Sequence, residues 1–570
     1  MRASLFAVAA LCLVSAQVRA ADPPLPPITF QIQPEALVLD QLRGAAGHVG
    51  GAPAVKSLNK QMRELFGEKG LEGFDINRPI VGYVVLAPKP EDITAVIALP
   101  ITDEKDFLAL CNRVNLDKLR VDARDKTLYH LPPLNPRYKA MLRFSDQYAY
   151  IAYGYNPAPH IDPKALVPMG KLYDPDERGL LSARVHFDRI PVTVKLAAPV
   201  LFAEVKKTLF AGTELGRPRN EWLLKSITPE FEKLATRYFL LAGDADVLTA
   251  RVMLDNQAAN LVAEATLTAK PNTKLAKIIA EYKTAPNRFG SLTNHPDNVL
   301  AFHTRAPLLA PEVRAAVASA LDVGGKQAVE SRKEVDKAWT DETFKGFIRV
   351  VKNQELDVAG VMRGPDKDGW FTVIGGVAFD DPAALEKEAK ISFKKDTPQE
   401  AQDRMKWDAD KVGNVNIHVF HFPQGGFFDF TTFLGGEKCY AAFAFAPQGL
   451  IGVIGPDPVP VLKEVLAAKP LPAPALEMVA NPGRIVKAFE KASGPQHRSA
   501  MEAARILGRE DKKVPVMSLV IEGGKELKAT FTINLKLLPK LMVAETLERS
   551  APEPPDVPQK PVEVEIENKK

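Results

Sequence analysis

Two segments of the chain share one pattern and decide its fold. Gly82–Leu108 reads GYVVLAPKPEDITAVIALPITDEKDFL, and Gly360–Glu386 reads GVMRGPDKDGWFTVIGGVAFDDPAALE. They align without a gap at an offset of 278 residues, from Gly82 to Gly360. Each segment contains an apolar strand, a polar turn, a second apolar strand and an acidic helix start. The pattern predicts a pair of antiparallel strands followed by a helix, present twice in the chain.

The correspondence extends outward from these segments. Residues 147–157 (QYAYIAYGYNP) match residues 448–458 (QGLIGVIGPDP), and the same alignment pairs His130 with His421. Consecutive strands joined by short turns indicate antiparallel sheets, and the intervening segments carry helical periodicity. We therefore predict an α+β fold with two tandem copies of an antiparallel sheet, each with helices packed on one face.

The chain is long enough for several domains, with 570 residues of which 46% are hydrophobic. The predicted organisation is a signal peptide at 1–20, a first α+β repeat at 21–285, a linker at 286–297, a second α+β repeat at 298–545 and a tail at 546–570. The tail is rich in Pro, Glu and Lys and has no apolar periodicity. Such a composition predicts disorder.

The N-terminus has the features of a secretory signal peptide. Arg2 supplies a positive charge, residues 3–16 are apolar, and small residues, Val18 and Ala20, stand three positions and one position before the predicted cleavage site. The apolar run is shorter than the ~20 residues that a membrane-spanning helix needs. We expect cleavage after Ala20, a periplasmic or extracellular protein, and no transmembrane segment after cleavage.

The duplicated layout, the signal peptide and the segment TAVIALPITDEKDFLAL at 94–110 resemble uncharacterised secreted bacterial proteins with a duplicated α+β domain. In these proteins a strand that ends in a small residue and proline leads into a Thr/Asp helix start. The resemblance implies architecture and location. It implies no activity, because such families have none that is agreed.

Composition and motifs exclude several function classes. The 74 basic and 70 acidic residues nearly balance, which argues against nucleic-acid binding. The nucleophile elbow GxSxG, the phosphate-binding GxxxxGK[ST] and the zinc motif HExxH are absent from the sequence. Cys111 and Cys439, which remain after cleavage, lack a CxxC spacing, and a buried thiol explains Cys111. The sequence thus predicts no cofactor and no metal site.

One segment suggests a contact surface. Residues 424–436 read QGGFFDFTTFLGG, with glycine pairs that permit movement and phenylalanines that favour burial. The counterpart at 135–144 is basic instead. Either the segment folds back on its own sheet, or it faces a ligand or partner beside a groove between the two repeats. The predicted contact residues are Phe427, Phe428, Phe430 and Phe433.

Two function classes remain open at this point. The first, which the missing motifs favour, is a secreted or periplasmic non-catalytic protein that binds a partner protein or an apolar ligand in the cell envelope. The second is a hydrolase whose site is assembled from residues distant in sequence. The polarity of the largest pocket discriminates between them, because a catalytic site needs converging acid, base or nucleophile groups.

Overall fold

A computed structural model of the chain describes residues 25–66, 70–87, 89, 92–113, 119–132, 137–195, 241, 243–306, 311–330, 344–345, 348, 356–378, 381–422, 429–481, 483–485 and 517–537. The predicted signal peptide and the predicted C-terminal tail lie outside these residues, and both stay predictions.

Strands dominate the described part of the chain. Their bounds are β1 Ile28–Ile32, β2 Ile80–Val85, β3 Thr94–Pro100, β4 Arg120–Val121, β5 Leu128–Leu131, β6 Lys139–Ser145, β7 Tyr148–Gly154, β8 Leu181–His186, β9 Ala245–Asp255, β10 Asn260–Ala269, β11 Ala285–Asn287, β12 Asn298–Ala306, β13 Leu356–Arg363, β14 Thr372–Val377, β15 Met405–Val412, β16 Val415–His421, β17 Tyr440–Ala446, β18 Gly449–Gly455, β19 Leu471–Ala473, β20 Leu476–Ala480, β21 Met517–Glu522 and β22 Leu527–Asn534.

The α-helices connect or flank these strands. Their bounds are α1 Glu35–Phe66, α2 Glu104–Arg113, α3 Lys274–Glu281, α4 Pro311–Glu330, α5 Pro382–Asp396, α6 Gln399–Gln402 and α7 Pro458–Ala467. The backbone of α1 leaves helical geometry at Gly50 and Gly51. Both helix starts predicted from the repeated segment have a side-chain cap: Asp103 Oδ1 accepts the Asp106 N–H before α2, and Asp381 Oδ1 accepts the Ala384 N–H before α5. No described helix is both long and apolar enough to cross a membrane.

Among the residues that the structure describes, twenty strands form one continuous antiparallel sheet, and β11 pairs separately with β19. Neighbouring pairs place the strands in the order β4-β5-β6-β7-β3-β2-β1-β8-β9-β10-β22-β21-β20-β12-β13-β14-β18-β17-β16-β15. We call β1–β10 the N-terminal strand set, and β12–β18 with β20–β22 the C-terminal strand set. Followed outward from the β10–β22 junction, both sets visit their strands in the same order along the chain.

The strand register keeps the offset seen in the sequence. Gly82 lies opposite Ile97 in the β2–β3 pair, and Gly360 lies opposite Gly375, 278 residues on from Ile97, in the β13–β14 pair. The pairing of His130 with His421 is wrong. His421 lies opposite the first residue of β17, whereas His130 lies opposite the third residue of β6. The sequence match missed this because the loops before these strands differ in length.

Helices cover both faces of the sheet, so the prediction that they pack on one face is wrong. We define the front face as the one that carries Phe302 and Phe443, and the back face as the other. On the front, Phe393 of α5 contacts Trp407, whose ring lies 6.0 Å from that of Phe443. On the back, α7 buries Leu462 in the main core cluster. Strands such as β17 (YAAFAFA) are apolar on both faces, and both faces therefore need cover.

In the N-terminal strand set, α2 packs on the front face. Its buried Phe107, Leu110 and Cys111 join one cluster with Leu142 of β6. On the back face, Ile161 and other residues of 158–173 cover the tyrosines and valines of β2, β3 and β7.

Candidate ligand-binding site

Three glycines lie side by side on the front face of the C-terminal strand set, and no described side chain covers two of them, Gly375 and Gly452. Gly360 on β13 lies opposite Gly375 on β14, which lies opposite Gly452 on β18. We call these residues the glycine row. A Cβ at Gly375 would meet no described atom within 4 Å, and one at Gly452 would meet only the Phe443 Cβ, at 3.9 Å. Glycine inside a strand often marks a place where a ligand or another backbone approaches closely.

Aromatic side chains stand on both sides of the glycine row. Phe302 on β12 lies opposite Gly360 and is 39% exposed; its ring extends over Gly360 so closely that a Cβ there would clash with it. Phe443 on β17 lies opposite Gly452. Four strand spacings separate β12 from β17, about 19 Å.

An aromatic cluster borders one end of the glycine row. Val373 and Ile454, each two residues along its strand from the glycine row, pack with Phe371 and Phe433 in one cluster. The Phe371 and Phe433 rings meet edge to face at 6.3 Å, and the Phe371 N–H donates to the Phe433 carbonyl at 2.9 Å.

The four phenylalanines predicted as contact residues are placed only in part. Phe427 and Phe428 lie outside the described residues, and for Phe430 only the backbone is described, in a 3-10 turn at Asp429–Thr432. Phe433 is half-buried beside the end of the glycine row. The described part of the segment follows β16 and precedes β17 in the chain, and Phe433 packs in one cluster with Met362 of β13 and Val373 of β14. The ligand or partner contact of the four stays a prediction.

A polar cluster follows directly beyond Phe443. His418 on β16 lies opposite Phe443, and its side chain is fully buried. Its Nδ1 accepts the backbone N–H of Asp408 at 3.0 Å. Lys390 of α5 donates to Oε1 of Glu386 at 2.8 Å and to Oδ1 of Asp408 at 2.8 Å. Asn416 donates a further hydrogen bond to Glu386.

Three members of this polar cluster, Glu386, Asp408 and His418, place potential metal-ligand atoms within 4.8 Å of one another. The hydrogen bonds argue against a metal ion there. Because Nδ1 of His418 accepts an N–H, the neutral ring carries its hydrogen on Nε2 and offers a cation no lone pair there. The Lys390 ammonium already occupies the space between the two carboxylates. The arrangement is that of a hydrogen-bonded network.

The electrostatics of this polar cluster follow from burial and pairing. Burial lowers the pKa of His418. Burial opposes ionisation of Glu386, but hydrogen bonds from Lys390 and Asn416 outweigh it and lower the pKa of the carboxyl. For Lys390 burial is likewise outweighed, by hydrogen bonds to Asp408 and Glu386, and the pKa is raised. At neutral pH the cluster therefore combines a neutral imidazole with charged Lys390 and Glu386.

Sequence reasoning missed both the glycine row and the polar cluster. The residues of each come from three elements, and only the strand order brings them together. One signal was available: a histidine within the apolar strand VNIHVFH needs a polar partner when it is buried.

A hollow beside α1 and the two cysteines are weaker candidates for a functional site. An open hollow of about 960 Å³ beside the second part of α1 is lined by Pro53, Val55, Lys56, Lys60 and Arg63 among others, and its described lining holds no Asp, Glu or His. The two cysteines are free and buried, and burial raises the pKa of each thiol to about 11. They are therefore unreactive thiols at neutral pH.

Comparisons with known proteins identify no family for this chain. No protein-family model matches the sequence, and no curated protein matches it. A solved structure titled "Structure of crystal form I of TP0453" matches over 46% of this chain and 85% of its own, with 7% identity and a TM-score of 0.21. A likeness this weak carries no argument about fold or function.

Proposed function

We propose that this chain is a non-catalytic binding protein of the cell envelope that holds an apolar ligand on the front face of its C-terminal strand set. The observation that carries the proposal is the glycine row with the exposed ring of Phe302 beside it. The matching row of the N-terminal strand set reads Gly82, Ile97 and Ile151, so two of its three positions are filled. Bare backbone beside aromatic rings is favourable only where something apolar covers it.

The surroundings favour hydrocarbon over a protein surface. Along their strands the glycines are flanked on the same face by Val358, Met362, Val377 and Leu450, which carry no hydrogen-bonding group. Protein–protein interfaces carry about one hydrogen bond per 100–200 Å². An acyl chain or fused ring system needs only apolar contact. The large exposed side chains continue across the sheet from Phe302 to Met478, which lies opposite it and is 42% exposed.

We further infer that the two strand sets are copies of one unit and that the chain is exported. Identical strand order and the offset of 278 residues, kept in the register of β2–β3 and β13–β14, support the first inference. A second internal match supports it as well: the ring of Phe30 covers Gly82 as the ring of Phe302 covers Gly360. The N-terminal apolar segment supports export.

A binding experiment tests the ligand proposal. The neutral dye N-phenyl-1-naphthylamine fluoresces in apolar sites, and palmitate serves as the competitor. Gly375→Ile combined with Gly452→Ile installs the residues found in the N-terminal strand set. We expect the dissociation constant of the dye to rise about tenfold or more, because branched side chains then cover the glycine row. The matched control is Gly170→Ile, at a position where a Cβ also meets no described atom within 4 Å but far from this face.

Two results would contradict the proposal. Unchanged dye affinity in the double variant would place the apolar site elsewhere, and equal losses in the double variant and in Gly170→Ile would make the effect non-specific. Thermal unfolding of both variants checks that the fold is kept.

A further inference from the structure

We propose that His418 makes the packing of α5 and of the outermost strand β15 sensitive to acid. In its neutral form the ring holds the backbone of β15 in place. A proton on Nδ1 removes that bond and loosens β15 and α5 from the outer edge of the sheet. The proposal concerns this edge alone and does not depend on the ligand proposed above.

The hydrogen bond from the Asp408 N–H to Nδ1 of His418 closes a β-bulge in β15. The register of β15 against β16 shifts between Lys406 and Asp410, which leaves residues 407–409 opposite the single residue His418. Asp408 adopts a positive φ of 53°, a conformation that costs free energy for a residue other than glycine. Its N–H donates to Nδ1 of His418 at 3.0 Å. The ring therefore compensates a backbone distortion that no strand partner satisfies.

The bulge also turns Trp407 toward the sheet. Its ring lies 4.9 Å from the ring of His418 and 5.7 Å from that of Phe393 on α5. Trp407 thus lies between the helix and the strands, and its position depends on the bulge. A bulge on an edge strand also makes that edge less suited to pairing with other chains.

The site cannot accept a second proton without a change in structure. A protonated imidazole donates at both nitrogens, so Nδ1–H would face the N–H of Asp408. The nearest available acceptor for it is Oδ1 of Asp408, 3.7 Å from Nδ1, but that oxygen is bound by Lys390. To accept a hydrogen bond from Nδ1–H, Oδ1 of Asp408 must move toward the ring, and this movement strains its hydrogen bonds with Lys390, which tie α5 to β15.

The groups that face His418 determine the pH range in which its ring takes up a proton. Glu386 and Lys390 approach from α5 and Asp408 from β15, while Phe443 and Phe445 of β17 carry no charge. Burial disfavours the charged ring more than the two carboxylates favour it, and Lys390 acts in the same direction as burial. The ring therefore stays neutral at pH 7 and takes up its proton below the usual value of about 6.5.

Hydrogen exchange of the full-length chain tests the proposal. Amide protection over residues 405–421, corrected for the intrinsic rate at each pH, is compared from pH 7.5 to pH 4.5. We expect protection to fall by up to about tenfold per pH unit between pH 6.5, near which the ring titrates once the edge has opened, and the lower pKa of the closed ring, because opening over this range takes up one proton. His418→Asn keeps an acceptor oxygen for the Asp408 N–H and cannot titrate, so its protection should not change with pH. The matched control, His421→Asn on the same strand, should keep the wild-type response.

Three results would overturn the proposal. Protection in the wild-type chain could prove independent of pH, or His418→Asn could keep the pH response. The third is spectroscopic and needs no variant: a ¹⁵N spectrum of the labelled wild-type histidines could show the hydrogen of His418 on Nδ1 at pH 7, or a ring pKa at or above 6.5. That last measurement decides the question even if His418→Asn fails to fold.

Discussion

The two strand sets follow the same strand order, but the side chains on their front faces differ. Across six neighbouring strands the front-face residues of the N-terminal set are Phe30, Gly82, Ile97, Ile151, Leu142 and Tyr129. Those of the C-terminal set are Phe302, Gly360, Gly375, Gly452, Phe443 and His418. The first aromatic–glycine pair is the same in both. The remaining four positions differ, and they decide whether the face is filled or left open.

The helices that pack on the two front faces, α2 and α5, differ in polarity as well. The inner side of α2 is apolar, with Phe107 and Leu110 buried against Leu142. The inner side of α5 is polar and carries Glu386 and Lys390. The comparison teaches that one arrangement of strands supports either a closed core or an open surface, and that a few side chains select between them.

The largest expected effect comes from the closed side. Phe107→Ala should destabilise the protein by about 3–5 kcal/mol, because it removes a buried ring that meets Phe144 edge to face at 6.1 Å. The half-buried Phe393 on α5 is the matched position, and Phe393→Ala should cost about 2 kcal/mol or less. Urea unfolding of both variants measures the difference. Equal losses would mean that α5 packs as tightly as α2.

Exchanging the residue types at one matched position, Ile97 and Gly375, should change the stability by smaller amounts, with opposite signs in the two strand sets. Ile97→Gly should destabilise the N-terminal set by about 2–3 kcal/mol, because it removes packing and adds backbone freedom. Gly375→Ile should stabilise the C-terminal set by about 0.5–1 kcal/mol, because a Cβ there meets no described atom within 4 Å and the substitution removes backbone freedom from the unfolded chain. The midpoints of thermal unfolding report both changes. Destabilisation by Gly375→Ile would show that the glycine row is covered by the protein's own side chains.

The smallest effect concerns Asp122, which forms a hydrogen bond with His130 in the N-terminal set. Its hydrogen bond with His130, at 2.8 Å, and two backbone N–H groups lower the pKa of Asp122 to about 2. Since the folded pKa lies below the usual 3.8, the pair contributes stability above pH 4, and this contribution is lost as the pH falls toward 2. Asp122→Asn should therefore lower the melting temperature slightly at pH 5 and not at pH 2. An equal change at both pH values would exclude the carboxylate as the cause.

How much of the fold and of the candidate site could be predicted depends on how far apart in sequence the interacting residues lie. The strand pairs of residues 82–108 and 360–386, their helix caps and the α+β class follow from patterns within some thirty residues. The glycine row does not, since Gly452 reaches Gly375 only through the pairing of β14 with β18. The polar cluster has the same origin. Helices on both faces could be inferred from β17 and β18, which are apolar at every position, a pattern that favours burial on both sides.

The β10–β22 junction has a consequence for self-association. Directly opposite residues can be traced from strand to strand, starting at Gly82 in one strand set and at Gly360 in the other. By this tracing Glu264 and Thr530 hold the same position in their strand sets, and they lie opposite each other in the sheet. Glu264 also binds Arg251 on its own side and Lys528 on the other. If two N-terminal sets from different molecules joined through β10 in this register, two glutamates would face each other, and like charges directly opposite are unfavourable. The charges at the junction thus favour pairing of β10 with β22 over pairing of β10 with the same strand of a second molecule.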